Sequence, residues 1–392
     1  MEIDLALVPV WIWVIFVFAL GCSIGSFLNV VIWRLPRGMS LAHPPSSCPG
    51  CKERIKFYDN IPLVSWLVLG GKCRCCKSPI SPRYIIIEFI TGLVHVGVFA
   101  AYFVWGTRSA LVGMEQFANG GWLIFLVHIT LISALIAASA IDLELWIIPI
   151  SICWFVTAVG IAGAATAGFV IDPEYIRANG LLPFAKGGVG AAAIGAGIGM
   201  IISNLLLMTG VIKPSYAQYN ENETDLTMPQ ADDARYNHRV EVLREIVFLL
   251  PILVCGAGLY WAAKNNEAVR DLWGKLDSFA VFNGFAGALW GYFCGAGIVW
   301  ATRILGTLGF GKEAMGLGDV HLMGAAGTII GPGMAVVAFF IAPFVGLMWA
   351  LYQLIFKKTR QIPYGPFLSL AICAVMIFAD DISEYITHMM GY

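Results

Sequence analysis

Apolar stretches of about twenty residues recur along the whole chain, and in lipid a stretch of that kind has only one stable form. Hydrocarbon offers no partner for backbone N–H and C=O groups, so each stretch must bond within itself as a helix. The runs are 5–31, 84–104, 121–141, 148–170, 187–211, 246–263 and 279–304. A short Gly-rich run, 320–330, follows and is broken by Gly331, Pro332 and Gly333; 334–356 and a marginal 367–379 close the series. Composition agrees: 59% of the 392 residues are hydrophobic and 12% charged, against about a quarter charged in soluble domains. The expected fold is an all-α polytopic membrane protein with about eight or nine transmembrane helices. A net charge of −1 argues for no nucleic-acid partner. The first run lacks a basic leader and continues past any plausible cleavage site, so a retained helix is expected there.

Charge sets the orientation. Between Arg34 and Arg83 lie nine Lys or Arg against two acidic residues, Glu53 and Asp59. The positive-inside rule puts that segment in the cytoplasm and the N-terminus outside. Alternate threading then brings Asp142 and Asp319 to the cytoplasmic edge. The basic cluster Lys357, Lys358 and Arg360 also lands inside if the broken segment crosses and returns. The stretch 213–245 is polar and acidic-leaning, and reads as a loop or small helical excursion. Gly195-Ala-Gly-Ile and Gly295-Ala-Gly-Ile form a faint repeat, which either duplication or small residues at helix interfaces would produce.

Two knuckles stand in the basic segment, Cys48-Pro-Gly-Cys51 and Cys73-Arg-Cys-Cys76. Each places two thiolates on one tight turn, and together they complete a tetrahedral shell for zinc. Redox chemistry and unligated thiols are the alternatives, but a cytoplasmic loop rarely keeps disulfides. A closed four-sulfur shell has no vacant position for substrate, so its zinc would staple a loop too small to build a core. Cys75 is the spare, while Cys22, Cys153, Cys255, Cys294 and Cys373 lie in apolar runs and suit packing.

Asp142 ends one apolar run, with Glu144 as a nearby alternative carboxylate, and Asp319 follows Gly316-Leu-Gly318 at the start of another. Singly they read as an interfacial carboxylate and a helix N-cap. As a pair on one membrane face they can do more. Peptide hydrolysis without a metal or nucleophilic side chain needs a base to activate water and an acid to protonate the leaving nitrogen. Two close carboxylates sharing a proton supply both, without a fixed role for either.

Several strings together resemble one family, the type IV prepilin peptidases. They are Gly25-Ser-Phe-Leu-Asn-Val-Val-Ile-Trp-Arg34-Leu-Pro36, the cysteine loop with Asn60-Ile-Pro62, Ser65-Trp66 and Arg83-Tyr84 running to Glu88, Asp142 with Ile148-Pro149, Met315-Gly-Leu-Gly-Asp319, and Ile362-Pro-Tyr-Gly-Pro-Phe367. The resemblance implies a GxGD-type aspartic endopeptidase of the bacterial inner membrane, working at the cytoplasmic face with Asp142 and Asp319 as catalytic pair. Gly316, Gly318 and Pro149 would support the motifs. Its substrates would be type IV prepilins or pseudopilins, cut after the Gly that ends a basic leader. Members with the tetracysteine loop also methylate the new N-terminus from S-adenosylmethionine, although no nucleotide-binding glycine motif here adds independent support.

The chain departs from the family pattern in three places. His321 stands where Lys is usual, Ile150 where an acid is common, and the stretch between the aspartates is longer. The domains expected are a first helix (1–33), a cytoplasmic tetracysteine loop (34–83), a helical core with the first Asp (84–170), inserted helices and a polar loop (171–280), and a core with the second Asp (281–392). Glu88, Arg83 and His321 are candidates for substrate contact, with interfacial anchoring the rival for Glu88 and Arg83. Asn29 suits a bond across helices, and His95 and His128 suit packing or pairing. A transporter would use intramembrane carboxylates too, but near the midplane. A catalytically silent scaffold of a pilus or secretion machine would keep the zinc loop but need neither aspartate; loss of either would favour it, and both are present.

Overall fold

The computed structural model describes residues 8–216, 237–356 and 363–391. Twelve helices carry the fold: α1 (Val10–Arg34), α2 (Val64–Val68), α3 (Arg83–Ala100), α4 (Trp122–Leu145), α5 (Ile150–Ala167), α6 (Gly187–Met208), α7 (His238–Asn265), α8 (Glu267–Leu276), α9 (Ala280–Phe310), α10 (Leu317–Phe356), α11 (Gly365–Ile377) and α12 (Ala379–Met389). Among the described residues there is no strand, only two isolated bridges in the cysteine loop. Among the described residues eight helices are long and apolar enough to cross a membrane, counting α10 whole, or nine if α11 and α12, bent by 82°, count as one broken span. The protein is a multi-pass helical membrane protein.

Two compact units divide the chain, one of residues up to Ile141 together with those from Ile377, the other Asp142–Met376. In the first, α1 packs along α3, and the buried Asn29 donates to the Tyr84 carbonyl at 3.1 Å, a bond across helices. The buried histidines are both paired. His95 Nδ1 meets the Thr91 carbonyl at 2.8 Å, and His128 Nδ1 meets the Tyr102 hydroxyl at 2.8 Å. Buried Arg108 pairs with Asp380 at 2.9 Å, and Ser109 donates its N–H and hydroxyl to the same carboxylate, which ties the start of α12 to the loop after α3.

In the second unit α9 and α10 run antiparallel at very close range, because a Cβ on Gly291 or on Gly327 would overlap the carbonyl oxygen of the other. Gly195 and Gly295, the members of the faint repeat, both sit at such crossings, against Cys255 and Met323. The charged residues His238–Glu245, which the sequence left with the polar loop, are helical and open α7. They fold this way because Glu241 and Glu245 are buried on charged partners. The rest of that polar stretch, 217–236, lies outside the described residues.

Helix α10 reverses direction. Gly331 takes φ 80° and ψ 169°, a conformation open only to glycine, and Pro332 follows it. Beyond the break, Gly346 packs on Phe367, two residues past Gly365, which itself lies beside Asp142 and Ile148. Ile148 also touches Gly318 at the start of α10. A straight helix would put residue 346 about 40 Å from Asp319 at 1.5 Å per residue. The return to the starting end makes α10 a helical hairpin, entering the bundle to Ile330 and coming back.

The Gly291–Gly327 crossing sets a test. Gly291→Ala should lower stability in detergent by about 1–3 kcal/mol, read by thermal unfolding. Gly297→Ala, on the same helix with open space around it, should be neutral.

Candidate functional site

Asp142 lies in the last turn of α4, whose end is set by Trp146 in the left-handed conformation, φ 58°. The Trp146 N–H closes the turn on the Asp142 carbonyl at 3.0 Å, and Pro149 opens α5. The loop between the helices is therefore four residues, with Ile148 at its inner edge. Asp142 is buried, at 7% exposure, whereas Glu144, about 200° further round the helix, is exposed. That difference separates the two carboxylates the sequence left open.

Asp319 is the third residue of α10, at 9% exposure. Its carboxylate does not cap the helix from the N-cap position; it reaches back toward Gly316, with Oδ2 3.5 Å from where a Cβ on that glycine would stand, the direction taken by the N3 residue of a capping box. The side chains of Asp142 and Asp319 interact electrostatically. Remote in sequence, the two carboxylates share one site within the second unit.

Glycine makes the approach possible. A Cβ on Gly318 would lie 2.9 Å from Ile148 Cβ, and one on Gly365 would lie 2.6 Å from Asp142 Oδ2 and 3.1 Å from Ile148 Cδ1. Ile148 is thus the common neighbour of the segment bearing Asp319 and of the segment facing Asp142. Gly365 N–H donates to Asp142 Oδ2 at 3.1 Å across 223 residues of sequence. In sequence the Pro-Tyr-Gly-Pro string carries resemblance alone; its local signal is a glycine followed by proline before an apolar stretch. Beside it, burial and then the charge of Asp319 push the Tyr364 phenol up to about 12, so it stays protonated at neutral pH. Cys153 is also within electrostatic range of Asp319.

The other candidates are placed as follows. Half-buried His321 puts Nδ1 3.2 Å from the Tyr292 hydroxyl, with the Trp154 ring 6.3 Å away. Pro149 is the N-cap of α5. In the first unit, buried Glu88 accepts from the Leu63 N–H at 2.8 Å. Leu63 has φ 60°, a strained turn for that residue, so Glu88 pins the cysteine loop to α3. Half-buried Arg83 is the first residue of that helix.

The cysteine loop is built from two like turns. Lys52 N–H bonds to the Cys48 carbonyl and Lys77 N–H to the Cys73 carbonyl, and both lysines are left-handed, φ 60° and 58°. Sγ atoms of Cys48, Cys51, Cys73 and Cys76 all lie within 4.8 Å of one another and could hold a metal ion. Cys48–Cys76 is 3.7 Å and Cys51–Cys73 4.0 Å, close to the edge of about 3.8 Å in a tetrahedron with 2.3 Å metal–sulfur bonds. The Cys51 N–H, then the Ser78 hydroxyl and the Gly50 N–H, pull the Cys48 thiol down to about 6. Arg74 grips Asp59 with two nitrogens, which ties the second knuckle to the turn at Phe57–Asn60. Exposed Cys75 stands outside the cluster.

Two family models match the chain. The bacterial peptidase A24 N-terminal domain covers residues 19–102, and the type IV leader peptidase family covers residues 247–351. Asp319 falls inside the second match; Asp142 and Gly365 fall outside both. A protein named prepilin leader peptidase/N-methyltransferase from Myxococcus xanthus is 38% identical over 164 residues, 42% of this chain and 42% of its own. A protein of the same name from Klebsiella pneumoniae is 48% identical over 92 residues, 22% of this chain and 40% of its own. A type 4 prepilin-like proteins leader peptide-processing enzyme from Escherichia coli is 40% identical over 143 residues, 32% and 46%. The chain thus spans less than half the length of these relatives. No solved structure matches. The two matches contain three of the five strings that carry the resemblance: Gly25–Pro36, the cysteine loop to Glu88, and Met315–Asp319.

Metal analysis of the purified chain tests the cluster. About one bound ion per chain is expected, lost in Cys48→Ser or Cys73→Ser and retained in Cys75→Ser.

Proposed function

We propose that the protein is a membrane aspartic endopeptidase that removes the basic leader of type IV prepilins or pseudopilins. The observation that carries the reading is that two buried carboxylates, Asp142 and Asp319, stand at helix ends whose segments both pack on Ile148. Hydrolysis there needs one proton between them. The anionic partner takes a proton from water as it attacks the scissile carbonyl, and the neutral partner gives one to the leaving nitrogen. The Asp142 carboxylate is held by the Gly365 N–H and the Asp319 carboxylate lies against Gly316, so both are positioned before substrate arrives. The protonated Tyr364 phenol is a donor for the substrate's polarised carbonyl. Acid and base roles belong to the pair.

The basic character of the segment 34–83 supports a cytoplasmic orientation for that loop and for the helix ends that bear the aspartates. An inner-membrane enzyme working at that face would meet a precursor before its leader is lost. The four-sulfur cluster suits structural zinc: all four donors are cysteine, the spacing is tetrahedral, and no ligand position is left for chemistry. Zinc there would hold the loop's two knuckles together.

The relatives' names also couple the peptidase to N-methylation. A methyltransferase step would draw on S-adenosylmethionine. The described residues contain no strand, so a doubly wound nucleotide fold among them would not be what holds that cofactor. The domain boundaries read from the sequence, with 34–83 as a separate loop and 171–280 as inserted material, form part of this proposal, although the family match reaches into that stretch from residue 247.

Cleavage of a prepilin by membranes bearing each variant tests the reading. Asp142→Asn and Asp319→Asn should each lose about 10²–10⁴-fold in rate at unchanged expression, and Glu144→Gln should cut like wild type. Retained cleavage in Asp142→Asn, with loss in Glu144→Gln, would reassign the pair.

A further inference from the structure

Arg303 is the largest fully buried side chain among the described residues, at 1% exposure on α9. A guanidinium so placed needs every partner it can find. Its Nε donates to Glu245 Oε1 at 2.9 Å, and its Nη1 donates to Glu313 Oε1 at 2.5 Å and to the Met315 carbonyl. The second oxygen of Glu245 accepts from Trp300 Nε1 at 3.0 Å, so that carboxylate is fully engaged. One turn earlier on α7, Glu241 holds Arg244 at 2.7 Å and the Tyr216 N–H at 2.8 Å. The Tyr216 ring lies 5.2 Å from the Arg303 guanidinium carbon, within cation–π range.

Glu313 and Met315 belong to the short link between α9 and α10, which has no regular structure of its own. The Met315 carbonyl and the Gly316 N–H are two ends of one planar peptide unit. Arg303 holds the first end, and Asp319 Oδ2 lies against the second, 3.5 Å from where a Cβ on Gly316 would stand. Turning that plane would break the Arg303 bond and move the amide that sits beside the Asp319 carboxylate. A cation on the carbonyl also polarises the unit and strengthens its N–H as a donor. Arg303 is itself within electrostatic range of Asp319, while His321 is engaged with Tyr292.

We propose that Arg303, set in place by Glu245 of α7, is a positioning residue that aims the Met315–Gly316 peptide at the Asp319 carboxylate. The proposal rests on the reading of Asp319 as one of the catalytic pair. Glu245 on α7 thereby contributes to the active site without touching substrate. Packing alone would give a different pattern, since a buried ion pair replaced as a whole by apolar side chains usually keeps its fold.

The test uses the full-length protein in detergent, as wild type, Arg303→Lys and the double variant Glu245→Leu/Arg303→Met. Prepilin cleavage is resolved into kcat and KM, hydrogen exchange is followed on peptides spanning 311–319, and thermal unfolding reports the fold. The double variant should unfold near wild type, exchange faster at 311–319 only, keep KM and lose about 10²-fold in kcat, the cost of a misplaced group. Arg303→Lys, with one point charge for three acceptors, should regain part of that kcat. A folded double variant with wild-type kcat, or unchanged exchange at 311–319, overturns the proposal. If the double variant does not fold, wild-type kcat and exchange in Arg303→Lys overturn it. Should wild type cut no prepilin, the reading of the pair falls, and exchange still decides whether Arg303 holds the link.

Discussion

Two segments far apart in the chain are in contact with one side chain, Ile148, and the site depends on that contact. Gly318 precedes Asp319, Gly365 donates to Asp142, and both leave no room for a Cβ beside Ile148. The isoleucine itself hangs from a four-residue turn whose length is fixed by the end of α4 and the N-cap of α5. Any larger residue at 318 or 365 would push a carboxylate-bearing segment away from the wedge. Side-chain size at two positions, more than any charge–charge attraction, sets where the aspartates sit.

Lipid imposes the rest. A chain that must satisfy its own backbone bonds has few ways to bring two carboxylates to one end of a bundle. Here the answer is helix ends. Asp142 closes a helix, Asp319 opens one, and α10 turns back at Gly331 so that the segment bearing Gly365 reaches the same end. Charges that would be costly in hydrocarbon are gathered beside it, with Arg303, Glu245 and Glu313 neutralising one another around the link to α10.

Much of this was legible in the sequence because its signals are local. Runs of apolar residues gave the helices, two CxxC turns gave the sulfur cluster, and a glycine-flanked aspartate marked the start of α10. Asp142 was legible only as one of two nearby carboxylates; burial on one side of α4 and exposure of Glu144 on the other distinguishes them. What the sequence did not carry was contact across distance. Gly365 looked like part of a closing string, and nothing local said that its N–H meets a side chain 223 positions away. The charges at 241 and 245 read as loop because their partners, Tyr216 and Arg303, come from other segments.

Proximity of the two aspartates is the claim on which the chemistry stands, and it can be measured without activity. Asp142→Cys and Asp319→Cys would be combined in a chain whose cysteines 22, 153, 255, 294 and 373 are replaced. Membranes would be treated with a short thiol-to-thiol reagent and the digest searched for linked peptides. A linked 142–319 peptide pair is the expected result. Free alkylation of both cysteines with no linked pair would contradict a shared site.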